Sequence, residues 1–374
     1  MSTEIGTSKE EAIAGTDDRP LLEVKDLAVH FSAGRKQPPL KAVDGISYRL
    51  AAGRALAIVG ESGSGKSVGV RALLGLLADN GRIAGGSARF GDVDLLRMGQ
   101  RSLQHVRGKD IAMVFQDAMQ SLNPTLTLER QLVEHQLWHH LCDRNTARQR
   151  AIEALDSVGV PEPDRRIKSY PFELSGGLRQ RAMIAMAMVT GPKLLIADEP
   201  TTAVDVTLQR QILDLLGKFK DQGTGIIMIT HDLGVARDLC EEVAVMYAGR
   251  IVETGPMKQV LADPQHPYTR GLVNSTVEVG DIDRPLSPIP GTPPSLRSIP
   301  DGCSFRPRCA HAESGCRTDQ VLVPLTTRST AEGARAVACW KAAEGALGVD
   351  ESLVVDESLG VEGAVDVESA GGVG

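Results

Sequence analysis

Gly60-Glu61-Ser62-Gly63-Ser64-Gly65-Lys66-Ser67 stands between the apolar run Ala55-Leu56-Ala57-Ile58-Val59 and the segment Val68-Gly69-Val70-Arg71-Ala72-Leu73-Leu74. A short aliphatic run, a glycine-rich turn and a segment of apolar periodicity read as strand, loop and helix. The glycines let successive amide N–H groups converge on one point. The loop also opens a helix N-terminus, whose partial positive charge favours an anion. Lys66 adds a cation able to reach the β- and γ-phosphates of a nucleotide, and Ser67 adds a hydroxyl suited to Mg²⁺. The residues from Gly60 to Ser67, with Val68 behind them, therefore predict a polyphosphate site in an α/β fold.

At 374 residues the chain is long enough for a large α/β domain and a smaller second unit. It contains no run of 18 apolar residues, and Met1–Asp18 lacks the basic-then-apolar build of a signal peptide. Cytoplasmic residence is expected, with any membrane association made through a partner. The stretch Ala342–Gly374 carries eight acidic residues and no Lys or Arg, so removing it from a net charge of −7 leaves +1. A near-neutral body offers no footprint for nucleic acid. The tail repeats Val-Asp-Glu-Ser-Leu at 349–353 and 355–359, has no aromatics, and reads as disordered.

Leu21–Phe31 and Ala42–Leu50 have strand character, and Phe31 can either stack on an adenine or fill a core position. Ile111–Phe115 predicts a strand that ends at Gln116. That is the edge of a parallel sheet where ligands bind, so its amide could meet Mg²⁺ or an attacking water, or simply cap the strand. From Asp117 to about 173 the pattern is helical and polar, with Leu128–Cys142 and Thr146–Val158 as helices of an inserted subdomain. Ser175, Gly176 and Gly177 then open a helix and make a second anion-binding device.

Leu194-Leu195-Ile196-Ala197 reads as a buried parallel strand that runs into Asp198 and Glu199. Burying one carboxylate is already costly, so two together point to chemistry. Asp198 suits a Mg²⁺ contact and Glu199 a general base for water. Asp205 precedes the helix Leu208–Phe219, and the strand Ile226–Thr230 ends at His231. Beyond about Asp263 the chain turns Pro-rich and carries Cys303, Cys309, Cys316 and Cys339. In a cytoplasmic protein such clustering favours a metal centre over disulfides. Zinc prefers cysteine pairs about two to four residues apart, which are absent, whereas a cubane cluster accepts more varied spacing. Cys142 and Cys240 read as ordinary buried helix cysteines.

Taken in order, these motifs make the chain resemble the ATP-binding subunit of an ABC transporter over roughly residues 20–270. The resemblance implies a P-loop NTPase (ABC ATPase) core with an inserted helical subdomain (about 117–173), using ATP and Mg²⁺. Gly60–Ser67 would be Walker A, Gln116 the Q-loop, Ser175–Gly177 the signature, Asp198 and Glu199 Walker B, Asp205 the D-loop and His231 the switch histidine. Phe31 would stack adenine. Leu178 and Val204 depart from the usual pattern without removing a reacting group. The segment Gln116–Pro124, the stretch His266-Pro267-Tyr268-Thr269 and the segment Ile289–Cys316 resemble the dipeptide/oligopeptide and nickel importer subfamily. There the C-terminal cysteine extension can hold a [4Fe-4S] cluster in a structural or redox-sensing role.

The implied partners are two transmembrane permease subunits, a second ABC ATPase subunit and an extracytoplasmic substrate-binding protein. The implied place is peripheral, at the cytoplasmic face of the membrane. The expected division is an acidic leader (1–19), the ATPase domain (20–270), a small irregular cysteine domain (271–341) and an acidic tail (342–374). A soluble ABC ATPase of repair or translation would bring a second ATPase unit, a long coiled coil or a basic surface, and the chain has none of these. A non-catalytic sensor would lack Glu199 or His231.

Overall fold

The computed structural model describes residues 19–34, 36–116, 121–202, 204–275, 288–325, 334–345 and 347. The leader up to residue 18, Asp117–Gln120 and the tail beyond 347 lie outside the described residues. Twelve strands are described: β1 (Leu22–Phe31), β2 (Leu40–Leu50), β3 (Ala55–Val59), β4 (Gly81–Phe90), β5 (Val93–Asp94), β6 (Ile111–Val114), β7 (Leu194–Asp198), β8 (Gly225–Thr230), β9 (Glu242–Tyr247), β10 (Arg250–Pro256), β11 (Val323–Pro324) and β12 (Ala336–Val337). They form an antiparallel sheet of order β2-β1-β4-β5 and a larger sheet of order β11-β12-β10-β9-β3-β8-β7-β6. In the larger sheet β9, β3, β8, β7 and β6 run parallel, and the last three strands at the other edge are antiparallel.

The central strands are buried on both faces, which explains why they read as continuous apolar runs. Their side chains still alternate. Ala55, Ala57, Val59, Leu195, Ala197, Ile226 and Met228 pack into one core with Leu132, Leu155, Ala182 and Leu216 of the helical side. Leu56, Ile58, Leu194, Ile196, Ile227 and Ile229 face a second core shared with β1, β2 and the helix Lys66–Leu73. The phosphate loop thus leaves the sheet between two packed layers.

The helical subdomain holds Leu128–Trp138 and Arg144–Ser157. Asp143 caps the second helix by accepting the amides of Asn145 and Thr146, so it starts earlier than the apolar pattern suggests. The first helix stops short of Cys142, because His140 takes a left-handed conformation (φ 52°). Cys142 is consequently a half-buried loop residue, and Cys240 is buried just beyond the helix Leu233–Arg237. Neither is the helix cysteine expected. β4 escaped the sequence because its Gly-rich stretch lacks strand character. It pairs with β1 around a bulge where a Cβ on Gly86 (φ +93°) would lie 2.5 Å from the Asp26 carbonyl oxygen.

The C-terminal extension is not a separate lobe. β12 adds to β10 in the register Glu253↔Val337 and Thr254↔Ala336, so the extension lengthens the ATPase sheet. Arg335 meets Glu253 at 3.0 Å with both side chains buried, and also donates to the Asp263 carbonyl at 2.7 Å. Phe305 joins the main core beside Tyr247 and Tyr268. The stretch assigned to the tail begins in ordered structure, since Ala342 and Leu347 are buried against Leu325 and Val337.

Candidate nucleotide site

β3 delivers the chain to Gly60, and the loop is pressed against its neighbours. Gly65 (φ +99°) is the N-cap of the helix Lys66–Leu73, and a Cβ there would sit 2.3 Å from the Ala42 carbonyl oxygen. Only glycine fits. The Ser64 carbonyl accepts from the Gly249 amide at 2.9 Å, and the Glu61 amide donates to the Tyr268 hydroxyl at 2.8 Å. Ser62 and Gly63 stay exposed at the tip. Lys66 is buried, and its Nζ donates to the carbonyls of Gly60 (2.5 Å) and Glu61 (3.0 Å). Burial lowers its pKa, opposed by the carboxylates of Glu199, Asp198 and Glu61.

Asp198, at the end of β7, is 1% exposed. It accepts from the Ser67 hydroxyl at 2.7 Å and from Arg71 at 3.3 Å. A hydroxyl and a carboxylate this close suit Mg²⁺, which takes its remaining ligands from phosphates and water. Glu199 follows in a left-handed conformation (φ 50°), a strained backbone for a non-glycine residue and a feature that clusters at functional sites. Its amide is held by the Ile229 carbonyl at 2.9 Å. Its carboxylate accepts from Gln116 Nε2 and from the Thr202 hydroxyl, each at 2.8 Å, and lies 3.6 Å from His231 Nδ1. Three strand ends therefore converge on one carboxylate.

The structure thus gathers Gly60–Ser67, Gln116, Asp198, Glu199 and His231. Val68 packs with the second core, and Phe31 is half-buried at the end of β1 with its ring against Gly81. Ser175 and Asp205 cap the helices Gly176–Met188 and Val206–Asp221 through the amides of Leu178 and Leu208. Ser175, Gly176 and Asp205 are exposed, and a Cβ on Gly177 would meet Leu208. Among the described residues no hydrogen bond joins this second device to the phosphate loop. Sequence reasoning missed Arg71, Thr202, Tyr268 and Arg308. Tyr268 lay inside a quoted motif, whereas Arg308, between two cysteines, gave no signal of its own.

Cys303, Cys309, Cys316 and Cys339 line one small cavity together with His266 and Phe305. None forms a disulfide. Burial pushes the Cys303 thiol up to about 11, and raises Cys309 and Cys339 as well, with neighbouring cysteines adding to the effect. Among the described residues, however, no group of three or more His, Cys, Asp or Glu side chains is arranged to hold a metal ion. The expected metal centre is therefore seen only as a convergence of thiols.

Residues 43–202 match the family model for the ABC transporter, and residues 252–316 match that for the oligopeptide/dipeptide transporter C-terminal region. The oligopeptide transport ATP-binding protein OppD of Salmonella typhimurium is 49% identical over 79% of this chain and 88% of its own length. OppD of Escherichia coli is 46% identical over 87% and 94%, and the dipeptide transport ATP-binding protein DppD of Haemophilus influenzae 46% over 79% and 90%. Among solved structures, the dimeric ATP-binding cassette MJ0796 in a post-hydrolysis state with ADP and Pi superposes with a TM-score of 0.57 at 26% identity, covering 63% of this chain and 98% of that one. With a phosphate loop, a buried Asp198 and a converged Glu199 in place, the chain belongs to the ABC transporter ATP-binding proteins, in the branch that carries the oligopeptide/dipeptide C-terminal region.

Proposed function

We propose that this chain hydrolyses ATP to power the import of di- and oligopeptides through a membrane permease. The observation that carries the proposal is the placement of Glu199, held by Gln116, Thr202 and His231 beside the Ser67–Asp198 pair. The loop amides and Lys66 bind and orient the phosphates. Ser67 and Asp198 would hold Mg²⁺, which supplies charge neutralisation at the phosphates. Glu199 takes the proton of the attacking water, Gln116 orients that water, and His231 steadies the carboxylate. The names of the peptide-transporting relatives support peptide as the cargo, and no observation favours nickel.

Ser175–Gly177 and Asp205, exposed and apart from the loop, serve the nucleotide of a second ATPase subunit. Permease docking is supported by an open groove of about 750 Å³ lined by residues that include Arg107, Asn123, Leu126, His135 and Trp138, the last 65% exposed. The stretch 117–127, which links Gln116 to the helical subdomain, borders the groove through Asn123 and Leu126 and carries the coupling to the permease; its first four residues lie outside the described ones. No described helix is long and apolar enough to cross a membrane. Attachment at the cytoplasmic face is peripheral and runs through the permease. An extracytoplasmic binding protein delivers the peptide.

The convergence of four thiols supports a [4Fe-4S] cluster in the extension, with zinc as the alternative. Protein prepared without oxygen should be brown and hold iron and acid-labile sulfide in comparable amounts, and a colourless, zinc-loaded preparation would replace the cluster by zinc. For the main proposal, proteoliposomes with the permease, binding protein and this chain should accumulate labelled peptide only with hydrolysable ATP. Hydrolysis without peptide uptake would overturn the cargo, and absence of hydrolysis would overturn the motor itself.

A further inference from the structure

Glu61 presents a difficulty that the phosphate loop does not solve. It is an acid within a loop that must attract a polyanion, and its own carbonyl lies 3.0 Å from Lys66 Nζ. Its carboxylate also bears electrostatically on that lysine. The compensating charge comes from the far end of the chain. Arg308 donates to both Glu61 oxygens, at 2.6 and 3.0 Å, in the two-pronged geometry that is the strongest form of such a pair. The Arg308 side chain is 4% exposed, and a guanidinium is almost never buried without a partner.

Its remaining contacts are with the extension and the core. Nε donates to the Pro290 carbonyl at 2.8 Å, one terminal nitrogen reaches the Tyr247 hydroxyl at 3.3 Å, and the guanidinium lies 5.8 Å from the centroids of Tyr247 and Phe305. The Glu61 amide is held as well, by the Tyr268 hydroxyl at 2.8 Å. The turn Arg306–Arg308 hangs between Cys303 and Cys309, and the Cys303 amide is anchored on the Cys316 carbonyl at 2.9 Å.

Building on the ATP-hydrolysis reading, we propose that Arg308 is a positioning residue of the ATP site: it neutralises and orients Glu61, so that the extension forms the back wall of the phosphate loop. Removing the guanidinium leaves an unpaired, partly desolvated carboxylate within the phosphate loop. The effect falls on nucleotide affinity rather than on the chemical step, since Glu199 is untouched.

The test is a double-mutant cycle with Arg308→Gln, Glu61→Gln and the pair, on the full chain. It reads the Kd of a fluorescent ATP analogue together with KM and kcat for ATP. Arg308→Gln should weaken binding about tenfold, the order expected on losing a hydrogen-bonded charge partner. kcat at saturating ATP should stay near wild type. Adding Glu61→Gln should restore most of the affinity, and Arg308→Lys should restore part of it. Should Arg308→Gln fail to fold, Arg308→Lys decides, because it keeps the charge but loses the two-pronged bond, and should weaken the Kd by a smaller factor with kcat unchanged. An unchanged Kd in Arg308→Gln or Arg308→Lys, no rescue in the pair, or a loss in kcat with KM unchanged would overturn the proposal. A wild-type chain that binds no ATP would instead overturn the reading on which it rests.

Discussion

The phosphate loop and the C-terminal extension share one ion pair but hold their shapes by opposite means. From Ala55 to Leu73 each element is long enough to declare itself: a fully buried strand, a glycine turn and a helix that starts where the turn ends. From Pro288 to Leu347 no described strand exceeds two residues and no described helix exceeds four. The extension borrows its order from the core, by adding β12 to β10, by burying Arg335 against Glu253 and by placing Phe305 among Tyr247 and Tyr268. Reaction groups sit on the rigid region, and the borrowed region supports them. Sites on strands and helix termini hold geometry better than sites on loops.

Four experiments would break or sharpen that contrast. Glu199→Gln should keep ATP binding and reduce turnover by about 10²- to 10⁴-fold, the usual worth of a positioned general base. Separate binding and turnover assays check it, and near-normal turnover would move the chemistry out of the core strands. Arg335→Met, which strands the buried Glu253 carboxylate, should cost about 3–5 kcal/mol in denaturant unfolding. It should do so within a single transition that also removes ATP binding. A separate early transition with ATP binding intact would make the extension an independent unit.

Acidification should loosen the same junction. His266 is buried, its Nδ1 accepts the Tyr268 amide at 3.0 Å, and burial pushes its pKa down from 6.5 to about 3. The unfolded chain therefore takes up this proton as the pH falls below 6.5, while the native chain does not until about 3. Stability from this residue is complete above pH 6.5, is lost progressively below it, and is down by about 2 kcal/mol at pH 5. His266→Asn should flatten that part of the profile, measured by urea unfolding across pH. An unchanged slope would mean that the packing beside Phe305 does not keep the ring dry. Smallest in its effect on the fold is Ser175→Arg, which lies on the exposed cap and should change the stability of the isolated chain by less than about 0.5 kcal/mol. In a Glu199→Gln background it should nevertheless abolish ATP-induced dimerisation in size-exclusion chromatography, and a dimer that persists would remove the second half-site.

The local code carried far in the core. A glycine loop after an apolar run, carboxylates at the end of another run, and Gln116 and His231 at two more strand ends are all visible along the chain, because backbone geometry and burial act on neighbouring residues. The helix boundaries near Asp143 and Cys142 shifted by a few residues, since a cap and a single left-handed residue set them rather than the apolar period. β4 stayed hidden, because a glycine-rich strand becomes a strand only when β1 is beside it. Thr202 and Arg71 could not be singled out either, as their roles depend on which carboxylate they reach.

By itself the sequence determined the α/β class, the phosphate loop, the paired carboxylates and the clustering of cysteines, since each is written in residues close together along the chain. The tertiary structure alone decided that Gln116, Thr202 and His231 meet on Glu199, that the extension continues the sheet, and that Arg308 reaches Glu61. These pairings join residues as much as 247 positions apart. They exist because burying a charge or an open strand edge requires a partner, and only the folded chain determines which one is within reach.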